Sequence, residues 1–133
     1  MDSVGRSGTP ISKARFWTGA VLSAIPVLML LLSAGMKLMK VPAAVEGMPH
    51  FGYPANLLTP LGIVEAGCTL LYVIPQTSVL GAILLTGYLG GATATHVRVG
   101  EPWFIPVGLG IIVWLGLWLR EPRLNPLVPI RKG

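Results

Sequence analysis

Residues 16–39 read FWTGAVLSAIPVLMLLLSAGMKLM, an apolar run in which Lys37 is the one charged residue. At about 1.5 Å of rise per residue, a helix made from this run crosses the roughly 30 Å hydrocarbon core of a bilayer. A secretory signal peptide has a shorter apolar part, and three more apolar runs follow this one. The run therefore predicts a membrane-spanning helix.

The rest of the chain repeats this pattern at close spacing. Hydrophobic residues make up 53% of the 133 residues and charged residues only 11%, against about 25% charged in a soluble domain. Unbroken apolar runs favour helices over a barrel of alternating strands. The sequence thus predicts an all-α integral membrane four-helix bundle. Its other three spans are Leu57–Ile74, Val79–Thr95 and Phe104–Leu119. The last two runs are short, so Trp103 and Trp118 are expected to anchor them in the interface.

Lysine and arginine lie unevenly on the two sides of the predicted bundle. Cytoplasmic sides of membrane proteins carry the excess of these residues. With the N-terminus inside, the inner side holds seven of them and the outer side three, Lys37, Lys40 and Arg98. Both termini are therefore predicted to be cytoplasmic.

The predicted divisions are a flexible tail over 1–14, the four-helix domain over 15–122 and a basic tail over 123–133. Because no basic stripe follows one element, the net charge of +5 does not indicate a nucleic-acid partner.

Four ionisable side chains fall within or at the outer ends of the predicted spans. Glu65 lies inside the second span, Lys37 and His96 end the first and third, and Arg98 follows closely. An ionisable group in a membrane is expensive unless it is paired, so each one is a candidate site residue. We expect these four to form a polar cluster, with Glu65 and His96 as candidate catalytic groups. A structural polar pair and a protonated Glu65 that donates to a backbone carbonyl are the alternatives.

The outer loop, 40–56, contains further polar and aromatic residues. Glu46, His50 and Tyr53 are candidates for a lid over a hydrophobic ligand, although simple apolar packing over the bundle also explains this composition. Nothing in the spacing of His50 and His96 indicates a metal or haem site. A lone cysteine, Cys68, excludes an intrachain disulfide and a C-x-x-C redox pair.

The third run is punctuated by small residues. Gly87 and Gly91 have the spacing at which two membrane helices approach closely. Packing within the chain is the simpler interpretation, and a homo-oligomer through these two glycines is the alternative.

Several short stretches together resemble the DoxX-like family of small bacterial membrane proteins. They are LSAGMKL over 32–38, VEG over 45–47, FGYP over 51–54, LGIVE over 61–65, Thr95–His96 and Val99–Gly100. The resemblance implies a four-helix bundle in the bacterial cytoplasmic (inner) membrane. It also implies an accessory or anchor subunit linked to redox chemistry, with quinone as ligand and redox-complex subunits as partners. A stand-alone membrane enzyme on an apolar substrate, or a structural partner-binding module, remains the alternative, so the sequence leaves enzymatic activity open.

Overall fold

The computed structural model describes residues 11–131, and every regular element in that range is helical. The all-α prediction is therefore confirmed for these residues. Short 3₁₀ turns over Ala55–Leu57, Pro75–Thr77 and Pro122–Leu124 join or follow the longer helices. Those helices are α1 (Lys13–Leu38), α2 (Pro42–His50), α3 (Leu58–Val73), α4 (Ser78–Val99) and α5 (Phe104–Arg120).

The four long helices form a closed ring in which each contacts two neighbours. Helix α1 packs on α3 and α5, and α4 packs on α3 and α5 from the opposite side. Short connections make successive helices antiparallel, while α2 contacts the end of the bundle where α1 stops and α3 begins. We call this end the α2 end. The opposite end, where α1 begins and α5 stops, is the termini end.

Helix boundaries follow local signals, and α4 is longer than the sequence predicts. The Ser12 hydroxyl caps α1 by accepting from the Arg15 amide. Helix α4 was predicted to stop at Thr95 but continues to Val99, where Gly100 adopts a φ of 76° and ends it. The helix tolerates His96 and Arg98 because their side chains bond to the Ala92 and Phe51 carbonyl groups.

The core of the bundle is apolar and tightly packed at two crossings. Gly81 lies directly against the backbone of Tyr72, so a β-carbon there would overlap with it. At the crossing of α1 and α5, a β-carbon on Gly19 would stand 2.7 Å from the Gly116 carbonyl oxygen. The buried apolar cluster consists of Leu30, Tyr72, Ala82, Leu85, Leu89, Val113, Leu117 and Leu124.

Large apolar side chains cover the outside of the bundle. Leu28, Leu32 and Ile111 are each more than 60% exposed. Three helical stretches, Lys13–Leu38, Ala55–Val73 and Pro75–Val99, are long and apolar enough to cross a membrane, and Phe104–Arg120 is a shorter apolar helix. This surface and these helices fit a membrane protein.

Three glycines in the second half of α4 do not pack inside this chain. A β-carbon at Gly87, Gly90 or Gly91 would meet no atom within 4 Å. The expected intrachain packing through Gly87 and Gly91 is therefore wrong, because these residues face outward. The homo-oligomer through them stays a prediction.

The two predicted tails are placed differently. Residues 1–10 of the N-terminal tail lie outside the described residues, and α1 begins at Lys13. The C-terminal segment, 122–131, folds back against α5. Its Leu124 is buried, and the Trp118 indole donates to the Val128 carbonyl at 2.9 Å.

Candidate functional site

An ion pair joins α1 to α3 inside the α2 end. The Lys37 ammonium lies 2.9 Å from Glu65 Oε1. The Glu65 side chain is 3% exposed and the Lys37 side chain 21%. The structure therefore brings together two of the four charged residues singled out from the sequence.

Helix packing explains why these two side chains meet. Glu65 lies on the buried face of α3, in line with Gly62 and Thr69. Gly62 lies one turn before Glu65, and a β-carbon there would come within 3.1 Å of the Lys37 and Leu38 side chains. This close approach of α3 to α1 brings the short Glu65 side chain within reach of the lysine.

Two further hydroxyl groups complete this site, which we call the Glu65 cluster: Ser33, Lys37, Glu65 and Tyr88. Lys37 Nζ donates to Ser33 Oγ at 2.8 Å, and Ser33 Oγ donates to Glu65 Oε1 at 3.2 Å. The Tyr88 phenol of α4 lies beside the Glu65 carboxylate. Sequence reasoning missed both groups as site residues. The spacing of Ser33 and Lys37, four residues apart on one helix face, was the available signal for Ser33.

The chemistry of the cluster follows from its donors and acceptors. An ammonium group has three N–H donors, and Glu65 and Ser33 use two of those on Lys37. Among the described residues no third acceptor bonds to Lys37, so one N–H remains for an acceptor such as a carbonyl oxygen. The Glu65 carboxylate beside it belongs to the class of groups that serve as general acids or bases in proteins. The cluster thus combines a hydrogen-bond donor with an acid or base.

His96 and Arg98 belong to a different group of contacts. The His96 Nδ1 lies 2.7 Å from the Ala92 carbonyl oxygen, and its ring lies 5.0 Å from that of Phe51. Arg98 donates to the Phe51 carbonyl at 2.7 Å. Within the described residues, neither side chain bonds to Glu65. The expected cluster of four is therefore two groups, and the catalytic role predicted for Glu65 or His96 stays a prediction.

The lid candidates take three different positions. The Tyr53 hydroxyl bonds to Thr95 Oγ1 at 2.6 Å, which fastens the end of the loop to α4. His50 pairs with Glu101 at 2.7 Å on the exposed surface. Glu46 is exposed on α2. We call the contacts of Phe51, Tyr53, Thr95, His96 and Arg98 the α2 latch. In the part of the chain described, no group of three or more His, Cys, Asp or Glu residues could hold a metal ion.

A second buried polar group lies at the termini end. The Tyr72 hydroxyl donates to the Val113 carbonyl at 2.7 Å and lies 2.9 Å from Ser23 Oγ. Arg120 Nε donates to the same Ser23 oxygen at 3.0 Å, and its guanidinium lies over the Tyr72 ring. We call Ser23, Tyr72 and Arg120 the Tyr72 cluster. None of these three residues was predicted to be a site residue.

Two apolar grooves run along α5. The first, of about 460 Å³, lies between α4 and α5 around Gly90 and Gly110, where the Trp114 indole donates to Thr86. The second, of about 340 Å³, lies between α5 and the C-terminal segment. Glu65 lines neither of them.

Comparison with known proteins gives one match. The model of the DoxX-like family matches residues 21–119, which include the Glu65 cluster and the α2 latch. The chain belongs to the DoxX-like family. The resemblance noted from the sequence is thereby confirmed. No curated protein and no solved structure matches this DoxX-like protein significantly.

Proposed function

We propose that this DoxX-like protein spans the bacterial cytoplasmic membrane four times, with both termini in the cytoplasm. Three of its helices have the length and apolar character required, and α5 packs between α1 and α4 as the fourth wall. At about 1.5 Å per residue, the 17 residues of α5 extend about 26 Å, close to the thickness of the hydrocarbon core. The excess of lysine and arginine at the termini end supports the orientation.

The proposed ligand of the Glu65 cluster is the head group of a lipid-soluble quinone. The observation that carries this proposal is the buried Lys37–Glu65 pair with an unused ammonium donor. A quinone or quinol oxygen would accept a hydrogen bond from that donor. Oxidation of the quinol releases two electrons and two protons, and the Glu65 carboxylate, paired with Lys37, would take one of the protons while the other passes to solvent. Glu65 suits this role better than His96, since His96 Nδ1 is engaged with the Ala92 carbonyl in the α2 latch.

On this proposal the protein is an accessory or anchor subunit of a redox complex. It would hold the quinone while a partner redox subunit delivers or accepts the electrons. The loop after α2, which the Tyr53–Thr95 bond fastens to α4, would cover the ligand at this end of the bundle.

A binding experiment tests the proposal directly. Purified protein in detergent is titrated with a short-chain benzoquinone and with its quinol. The parent should bind the quinone saturably, and Glu65→Gln should bind it at least tenfold more weakly. The double variant Lys37→Met with Glu65→Leu should fold but lose binding, because an apolar pair of similar size removes the charges without leaving one unpaired. Glu46→Gln, on the exposed face of α2, is the matched control and should bind like the parent.

A second candidate function is a structural, partner-binding module in which the Glu65 cluster only fixes helix packing. Complete pairing favours it: within the described residues, no buried side-chain nitrogen or oxygen lacks a hydrogen-bond partner. Under this candidate, the double variant keeps the function of the parent, whatever its stability, and no quinone binds to either protein. These two results together would contradict the quinone proposal and favour the structural module.

A stand-alone enzyme that uses Glu65 is the third candidate. This hypothesis predicts a roomy apolar pocket beside Glu65 that opens to lipid. The two α5 grooves are roomy and apolar, but Glu65 does not line them.

A further inference from the structure

The C-terminal segment forms one wall of an apolar slot. It folds back through the Trp118–Val128 bond and through Asn125, whose side-chain amide donates to the Trp118 carbonyl at 3.0 Å. The slot holds about 340 Å³, within the range of small-molecule sites. Six side chains line it, all apolar apart from two indole N–H groups: Trp114, Leu115, Trp118, Leu124, Val128 and Pro129.

A cation adjoins this slot. The Arg15 guanidinium lies 4.7 Å from the centre of the Trp118 ring. Its Nε and Nη2 donate to the Leu119 and Trp118 carbonyls and to Asn125. Within residues 11–131 no acceptor bonds to Nη1, which has two further N–H donors. A planar guanidinium with unused donors is well suited to bind a phosphate oxygen.

The charge around this slot is mostly positive. At the termini end the described residues include one acid, Glu121, and five basic residues. The basic residues are Lys13, Arg15, Arg120, Arg123 and Arg131. Beside them, Leu127 and Ile130 are 57% and 76% exposed. A surface with exposed apolar side chains and excess positive charge complements the head-group region of an anionic leaflet.

We propose that the slot and Arg15 form a binding site for an anionic phospholipid, with an acyl chain in the slot and the phosphate at the guanidinium. The proposal rests on the four-span placement, which puts the termini end in the cytoplasmic leaflet, but not on the quinone site. Residues 21–119 match the family model, so Arg15 and the C-terminal wall lie outside that match.

Tryptophan quenching tests this proposal in the full chain. The parent for the experiment is the triple variant Trp17→Phe, Trp103→Phe and Trp114→Phe, which leaves Trp118 of the slot as the reporter, because Trp114 also lines the neighbouring groove. The protein is reconstituted in phosphatidylcholine vesicles that contain increasing dibrominated phosphatidylglycerol or dibrominated phosphatidylcholine. We expect half-maximal quenching at an at least fivefold lower fraction of the anionic lipid. Arg15→Gln should reduce that preference about fivefold, the effect of one basic residue at a membrane surface.

Further variants distinguish binding at this site from general electrostatic attraction and from misfolding. Leu115→Phe should fill the slot and reduce quenching by both lipids, while Ile111→Phe, on the neighbouring groove, should not. If Arg15→Gln fails to fold because Arg15 caps α5, Leu115→Phe still tests the slot. Lys40→Gln, at the α2 end, should leave the lipid preference unchanged.

Three results would overturn the proposal. Equal quenching by the two lipids would show that no anionic site exists, and an equal loss of preference in Lys40→Gln would show only general attraction. Quenching by neither lipid would contradict the four-span placement itself. The Lys37→Met and Glu65→Leu double variant should keep the lipid preference, so failure of the quinone proposal would leave this result intact.

Discussion

The two buried polar clusters link α1 to α3 at opposite ends of the bundle, but they are built differently. The Tyr72 cluster joins α1, α3 and α5 through hydroxyl groups, a backbone carbonyl and the stacked Arg120. The Glu65 cluster joins α1 and α3 through a carboxylate and an ammonium group. Hydroxyl groups suffice to fix two helices against each other without burying an acid. The Glu65 cluster therefore contains more acid–base chemistry than packing requires, which is why we place the function there.

Removing one charge from the Glu65 cluster should have the largest effect. Lys37→Met leaves the buried carboxylate without its cation, and we expect the free energy of unfolding to fall by about 3–5 kcal/mol. Chemical unfolding in detergent, followed by circular dichroism, measures this change. Adding Glu65→Leu to Lys37→Met should recover most of the loss. A Lys37→Met protein as stable as the parent would show that the ion pair does not contribute to the fold.

The Tyr72 cluster should respond to volume instead of charge. A β-carbon on Gly116 would collide with Ser23, so Gly116→Ala should lower the free energy of unfolding by about 1–3 kcal/mol. Gly87→Ala is the matched control, since a β-carbon there meets nothing within 4 Å. This control should gain up to about 1 kcal/mol from helix propensity.

The variant Gly87→Ala also tests the predicted homo-oligomer. If α4 helices of two copies approach through Gly87 and Gly91, Gly87→Ala should weaken self-association even though it stabilises the single chain. Sedimentation in detergent distinguishes the two effects. Equal destabilisation by Gly116→Ala and Gly87→Ala would contradict the outward position of Gly87.

Apolar run length predicted most of the fold. The second predicted span, Leu57–Ile74, agrees with α3 to within one residue at each end. Helix α2 was expected only as a structured loop, because its prolines and glycine are typical of loops. Pro42 instead opens the helix, where its missing N–H costs nothing.

The candidate site was predictable only in part. The position of a residue in an apolar run predicts its depth in the membrane, but it does not predict which face of the helix the residue occupies. Lys37 and Glu65 stood out as charges in apolar runs. His96 and Arg98 lie at a similar depth in the bundle but do not share the face of α4 that carries Tyr88. Thr95, seven positions after Tyr88, nearly shares that face. Thr95 is buried and His96 is not. Tyr88 was missed because a tyrosine within an apolar helix is unremarkable until its neighbours are known.

The smallest expected effect concerns the exposed acid–base pair at the termini end. Arg123 donates two hydrogen bonds to the Glu121 carboxylate and lowers its pKa below the ordinary value of 4.5. Because the folded-state pKa is the lower one, the pair adds stability that is fully present above pH 4.5 and is lost as pH falls through the folded pKa. The C-terminal segment of the parent should therefore loosen slightly below pH 4.5.

Trp118 reports this loosening, since its indole bonds to Val128 of the same segment. Tryptophan emission should shift more between pH 6 and pH 3 in the parent than in Arg123→Gln, which lacks the stabilising partner at every pH. The expected change is small, because an ion pair this exposed is screened by solvent. Identical pH profiles for the two proteins would mean that the pair does not hold the segment. A large shift in both proteins would show that something other than this pair controls the tryptophan emission.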